Sequence, residues 1–405
     1  RLRRRDACLH LTHPRRNPMA NNGRSLSEVV DALGALAPLS LAGSWDKVGL
    51  LVAGDGRPVT RALLAIDVVP EVLAEAKALG AELIVGYHPL IFTPLERLDG
   101  ATWQGRVAID AVRAGIAVYS PHTALDAVEG GINDWLIELI AQAAGAGVED
   151  CRALQPATAH AGNTHKLVTF VPEADAGRVR DALSAAGAGQ VGLYSHCSFA
   201  APGEGTFLGG AGANPAVGKA GRLERVPELR LEMPFHKRRL AAVLEALRAS
   251  HPYEEPAFDI VALEALPIGP RVGAGRIARL SKPCFSAELA ESLQRMLGCS
   301  RIDRTGTRLA GRSYPNAHTV IAVCAGSGAS LLDAAAAQGA TCFLTGELSH
   351  HDVLRAHALG LEVLLAGHTN TERGYLPRLA GDLAGRLPGL ECVVSTADRD
   401  PLAMA

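Results

Sequence analysis

At 405 residues the chain is long for one domain and sufficient for two or three. Hydrophobic residues make up 48% and aromatics 4%, which favours an Ala/Leu/Val-rich α/β protein over an aromatic-rich sandwich. A net charge of −2 implies no broad basic face, so no direct nucleic-acid partner is expected, and no apolar run is long enough to span a bilayer.

Residues 1–24 read as an unstructured basic extension. Its start, "RLRRRDACLHLTHPRRNPM", is arginine-rich and nearly free of acids, a composition that transit peptides share. The first α/β lobe is placed at 25–150. Here "TRALLAID" reads as an apolar strand, "PEVLAEAKALG" as a helix opened by Pro and stopped by Gly, and "AELIVG" as a second strand. A helix around "QGRVAIDAVRAG", the strand "IAVYS" and the helix "GGINDWLIELIAQAAG" follow. This is βαβ grammar, and it predicts a parallel sheet covered by helices.

Residues 160–264 change character. Their strand, helix, strand, strand, helix, strand rhythm predicts an inserted ferredoxin-like α+β domain. The Ala/Gly/Pro-rich flanks "AQAAGAGVEDCRALQPATAHAGN" and "EALPIGPRVGAG" read as linkers. A second lobe at 265–402 returns to the first grammar through "HTVIAVCAG", "SGASLLDAAAAQG", "ATCFLTG", "SHHDVLRAHALG" and "LEVLLAG". "EAKALGAELIVGYH" lines up with "DAAAAQGATCFLTGELSHH", and "RAGIAVYSPHTALD" with "ALGLEVLLAGHTNTE". The expected fold is therefore α/β: two similar parallel-sheet lobes forming one discontinuous domain, interrupted by the insertion.

Ligands of open parallel sheets bind beyond the carboxyl ends of the strands. Four polar clusters occupy that position: "GYHPLIF" with Tyr87 and His88, "SPHTALD" with His122 and Asp126, "TGELSHHD" with Glu347, His350 and His351, and "GHTNTE" with His368 and Glu372. Histidine and carboxylate together suit Zn, Mn, Fe or Co. Each residue also has an ordinary reading. His88 and His122 suit backbone hydrogen bonds in turns, Asp126 a helix cap, and Glu372 a favourable place near a helix N-terminus. Four clusters on one predicted edge favour a shared metal site over four separate turns. Whether 368–374 is helix or loop stays open at this level, because Pro377 follows closely.

Elsewhere, the G-x-G of "CAGSGAS" reads as tight-turn packing and lacks the third glycine of the dinucleotide fingerprint. "HPYEEP", with His251, Glu254 and Glu255, reads as a fixed turn. Eight cysteines at 8, 151, 197, 284, 299, 324, 342 and 392 include no C-x-x-C pair, which fits neither a thiolate zinc site nor a disulfide framework. A reducing, cytoplasmic location is the expectation.

The segments "SWDKVGLLVAG", "YHPLIF", "YSPHTALDAVEGGINDWL", "AGSG", "TGELSHHD", "GHTNTERG" and "STADRDPL" resemble the Nif-three-like family of GTP cyclohydrolase I type 2 homologues, and "HPYEEPAFDI" is similar to the PII-like insertion of its longer members. The resemblance covers about 25–402. It implies a two-metal centre between two lobes and assembly into hexameric rings. It also implies at most two divalent ions per chain, held by His88, Asp126, His368 and Glu372. Tyr87 replaces the first histidine of the family's His-His pair, and His122 is the neighbour available to complete that position. Two functions are expected from it. One is a metal-dependent hydrolase acting on a nucleotide-like or phosphate-bearing small molecule. The other is a non-enzymatic metal-binding oligomer that meets transcriptional regulators.

Overall fold

Short apolar strands bounded by glycine and proline dominate the architecture. The computed structural model describes residues 23–159, 162–305, 308–309, 312–313 and 317–402. The basic extension read at 1–24 lies outside the described residues up to position 22. Two compact units are present, one built from the residues up to Pro156 together with those from Pro270 on, the other spanning Ala157–Gly269.

In the first unit, helix α1 (Leu26–Leu36) opens on a capping box, in which Ser25 Oγ accepts from the Glu28 N–H and Glu28 reaches back to the Ser25 N–H. Strands β1 (Gly49–Ala53), β2 (Arg61–Ala65), β3 (Leu83–Gly86) and β4 (Ala117–Ser120) follow. Between them run α2 (Pro70–Leu79) and α3 (Trp103–Ala114), and then come α4 (His122–Ala127) and α5 (Ile132–Ala144). Pro70 starts α2 and Gly80 ends it in the left-handed conformation, as its punctuation dictates. β2, β3 and β4 run parallel, with β1 antiparallel to β4.

The residues 148–152, read from composition as linker, form β5 (Val148–Arg152). It is an edge strand, four of whose five residues are exposed, so it carries no apolar alternation by which to be read. Its partner decides its state.

The second unit contains β6 (His165–Val171), α6 (Ala176–Ala185), β7 (Phe199–Leu208), β8 (Leu223–Phe235), α7 (Leu240–Ser250) and β9 (Phe258–Ala262). Its sheet has the order β9-β6-β8-β7, all antiparallel. One face carries Leu167, Val171, Leu231, Met233 and Phe235, buried with Val179, Leu183, Val243 and Leu247 of the two helices.

Back in the first unit are β10 (Arg276–Cys284), α8 (Ser286–Leu297), β11 (Asp303–Arg304), β12 (His318–Ser327), α9 (Leu332–Ala337), β13 (Cys342–Glu347), α10 (His350–Ala358), β14 (Glu362–Leu365), α11 (Asn370–Arg373), α12 (Leu376–Arg386) and β15 (Glu391–Val394). The second sheet of this unit has the order β11-β14-β13-β12-β10-β5, with β12, β13 and β14 parallel. β15 crosses to the other sheet and pairs parallel with β2, giving the order β1-β4-β3-β2-β15.

Alternate residues of each parallel run face different cores. Leu64, Leu83, Val85, Ile321, Val323, Leu344 and Leu364 share one core with α1, α5, α8 and α12. Leu63, Ile84 and Val118 pack under α2 and α3, and Ala322, Phe343 and Val363 under α9 and α10. Both faces of both runs are thus covered, as parallel strands require. Among the described residues no helix is long and apolar enough to cross a membrane.

Candidate metal centre

The parallel strands deliver side chains from their carboxyl ends. Asp67 follows β2, Tyr87 and His88 follow β3, His122 opens α4 after β4, Glu347 closes β13, and His368 and Glu372 follow β14. The short helix α11 begins two residues after His368 and carries Glu372 one turn on. Thr371 fastens this turn, its hydroxyl donating to the His368 carbonyl (2.7 Å) and accepting from the Gly326 N–H (2.9 Å).

His88, His368 and Glu372 converge, their ligand atoms all lying within 4.8 Å of one another. His88 Nε2 is 3.4 Å from Glu372 Oε2, and His368 Nε2 is 3.5 Å from Glu372 Oε1. The two imidazoles are 5.3 Å apart. Each turns its other nitrogen to a second carboxylate, His88 Nδ1 to Asp67 Oδ1 at 2.9 Å and His368 Nδ1 to Glu347 Oε1 at 3.0 Å. That arrangement leaves both Nε2 atoms aimed at Glu372, and carboxylates behind histidines are the usual orienting partners of metal-binding imidazoles.

Glu372 is 2% exposed and its Oε2 has no hydrogen-bond partner among the described residues. A buried carboxylate oxygen left so is costly unless a cation or donor meets it. The charge balance agrees. Burial acts to lower the His88 pKa, but the hydrogen bond to Asp67 and the nearby Glu372 carboxylate outweigh it and raise the value to about 10. The cluster therefore demands positive charge, from a proton or from a metal ion, and its N/O donor set fits a borderline divalent ion.

Tyr87 and Asp126 sit beside this group but are occupied with each other. The Tyr87 hydroxyl donates to Asp126 Oδ1 at 2.7 Å. Burial raises Asp126 to about 6, against the Tyr87 hydrogen bond and reinforced by the Glu372 charge. Burial likewise pushes the Tyr87 phenol well above its ordinary value. His122 lies 5.5 Å, ring to ring, from both His88 and Tyr87. Its Nδ1 contacts Asp46 Oδ1 at 2.7 Å, and Thr123 also donates to Asp46. Burial works against ionisation of Asp46, yet these bonds hold it at about 2. His122 has φ of 33°, in the left-handed region that a non-glycine residue enters at a cost.

Of the residues read from sequence, His88, His368 and Glu372 come together, Glu347 orients His368, and Asp126, Tyr87 and His122 adjoin them. His350 and His351 are exposed at the start of α10, their rings 5.4 Å apart and outside the cluster. Asp67 and Asp46 were not singled out. Asp67 obeys the same strand-end rule, standing directly after "LLAI", whereas Asp46 lies before β1 in "SWDKVGLLVAG", a segment read only for its family resemblance. Gly326 also belongs here. A Cβ at this residue would lie 2.8 Å from Glu372 Oε1 and 3.0 Å from His368 Nε2, and its φ is +62°. The G-x-G read as turn packing thus also gives the site its room.

The Duf34/NIF3 (NGG1p interacting factor 3) family model matches residues 24–401. The chain belongs to this family. As a Duf34/NIF3 member it is 35% identical to a GTP cyclohydrolase 1 type 2 homolog of Halalkalibacterium halodurans, over 90% of this chain and 95% of that one. A protein of the same description from Mycobacterium tuberculosis is 38% identical, covering 80% and 82% of the two chains. Among solved structures, a Bacillus cereus protein related to NIF3 superposes with a TM-score of 0.59 at 31% identity, covering 94% of this chain and 99% of that one.

Proposed function

We propose that this Duf34/NIF3 protein is a divalent-metal-dependent hydrolase of a nucleotide-like or phosphate-bearing small molecule. The observation that carries the reading is Glu372, buried, with each oxygen facing a histidine Nε2 and Oε2 without a hydrogen bond from any described residue. His88, His368 and Glu372 would hold one ion, with Asp126 and His122 adjoining for a second. Such an ion polarises a bound oxygen and brings the pKa of water into the neutral range. The chain's own residues supply the rest. Asp67 and Glu347 keep the imidazoles aimed, and the Tyr87–Asp126 pair is placed to hold a proton next to the substrate.

The nucleotide-like class is supported by the description of the curated relatives as GTP cyclohydrolase 1 type 2 homologs. It is supported too by Trp45, 58% exposed, whose ring lies 6.2 Å from His122 and 6.0 Å from the 47% exposed Phe92. The exposed Trp45 indole offers an aromatic face on which a heteroaromatic base could stack. The proposal includes two lobes around the centre, a PII-like insertion in the second unit and a ring-shaped homohexamer.

Elemental analysis of wild type and of the His368→Ala, Glu372→Ala double variant, purified without added metal, tests the site. Bound divalent metal in the wild type, lost in the variant, followed by metal-dependent nucleotide hydrolysis, is the expected result. The Tyr87–Asp126 bond, which withdraws one carboxylate oxygen, favours a second reading as a metal-holding oligomeric regulator. Bound metal without turnover of any nucleotide would transfer the assignment to that reading. No metal in either protein would sink both.

A further inference from the structure

The "HPYEEP" turn takes no part in the metal centre. His251 is buried and fixes it from both ring nitrogens, with Nε2 2.9 Å from the Phe170 carbonyl and Nδ1 accepting from the Tyr253 N–H at 3.1 Å. The turn is thereby held over the sheet of the second unit and presents Tyr253, Glu254 and Glu255 to a cavity of about 670 Å³.

The cavity follows from register. β6 and β8 put Leu167, Leu231 and Met233 under the helices, so Phe170, Glu228 and Arg230 point to the other face. On β7, Gly203 is paired with Glu228 and Ala201 with Arg230. Residues directly opposite in an antiparallel pair share a face, so β7 contributes a row of nearly absent side chains there. Gly205 lets Glu228 lie across the strand, since a Cβ at 205 would be 2.2 Å from Glu228 Oε2. Gly203 has nothing of the described residues within 4 Å of its Cβ position and opens into space. Phe170, Phe207 and Tyr253 are the aromatic walls, and the 209–216 loop closes a further side through Ala213, Pro215 and Ala216.

In the polar lining carboxylates outnumber the cation Arg230. Glu228 is 9% exposed, and the Tyr253 hydroxyl donates to its Oε1 at 2.6 Å while Oε2 accepts from no described residue. Glu254 accepts from the Asn214 N–H, and Glu255 is exposed. Glu204 is paired with Arg225. Arg230 is already committed, donating to Glu232 at 2.8 Å and lying 6.0 Å over the Phe170 ring. Three carboxylates thus face an apolar, aromatic space in which no uncommitted cation of the described residues lines the wall.

We propose that the second unit binds a small organic cation with an apolar body, its ammonium between Glu228 and the aromatic rings and its body over Gly203. Carboxylate attraction and the negative faces of aromatic rings both select positive charge, and together they are how ammonium groups are held. This site is independent of the metal centre and of the reading given to it.

The test is calorimetric titration of the full chain with benzyltrimethylammonium, with phenylacetate as an anion of similar size. Saturable binding of the ammonium and not of phenylacetate is expected. Glu228→Gln, which keeps an acceptor for Tyr253, should weaken it about tenfold or more, the loss of a charged partner. Gly203→Leu, which fills open space at an unstrained position, should abolish binding while leaving the unfolding temperature near that of wild type. If the leucine variant does not fold, Glu228→Gln decides alone. Absence of saturable ammonium binding at millimolar concentration, unchanged affinity in Glu228→Gln, or preference for phenylacetate would overturn the proposal.

Discussion

Glu372 can serve two histidines at once because each of them is already held from behind. Asp67 sets the tautomer and direction of His88 just as Glu347 does for His368. Replacing Asp67 by Asn leaves the side-chain volume but removes the charge that orients the ring. Divalent-metal affinity, measured by competition with a chromogenic chelator, is expected to fall about 10–100-fold, the usual cost of losing such a partner. Unchanged affinity would mean that His88 is oriented by packing alone. At this scale His88 and His368 were readable because each stands just after an apolar run, and Glu372 because it shares the His368 turn, whereas Asp67, which also follows such a run, was passed over. The role of Asp46, which meets His122 across a separation of 76 residues and follows no apolar run, was not readable.

Among the elements, the end of β12 is the one to test first, because the fit of Gly326 to α11 is set by a missing side chain. Gly326→Ala would place a methyl group against Glu372 Oε1 and His368 Nε2 at a positive φ. The variant is expected to lose bound metal and to unfold about 1 kcal/mol or more below wild type, the strain cost alone. Metal content and denaturant titration on the same preparation check both. Helices bounded by Pro and Gly, and strands with continuous apolar runs such as Leu83–Gly86, were legible because their signals are local. β5 and β15 were not. Their state is conferred by partners far along the chain, and exposed edge strands need little apolar pattern of their own.

For the whole molecule, two consequences can be measured. Gly273 and Ala274 pair with Pro156 and Gln155, and the Ala153 N–H donates to the Pro270 carbonyl, so the chain leaves and re-enters the first unit at one place. Excising 157–269 and closing the gap with a short glycine linker should leave a folded first unit that still binds metal, because loop closure there is cheap. An unfolded product would show that the second unit is needed for the first. The other consequence is acid sensitivity. Glu75 on α2 accepts from the Ser395 and Thr396 hydroxyls and from the N–H groups of Thr396 and Ala397. Burial acts to raise its pKa, but these bonds win and hold it at about 2, below the ordinary 4.5. A depressed carboxyl stabilises the folded state above its unfolded value and stops doing so as pH falls through the folded one. Wild type should therefore exceed Glu75→Gln in unfolding temperature above pH 4.5, and the two curves should converge as pH falls towards 2. Parallel curves would remove Glu75 from the account of acid stability.

The pairing of β15 with β2 also sets a clock. Arg61 and Glu391, which bind each other across that pair, are separated by 330 positions. At roughly 5–20 residues per second, a ribosome needs tens of seconds to make the intervening chain. Throughout that interval the "ALLA" edge of β2 has emerged without its neighbour, an unpaired apolar edge of the kind that recruits other chains. The sheet begun first is therefore among the last parts to be finished.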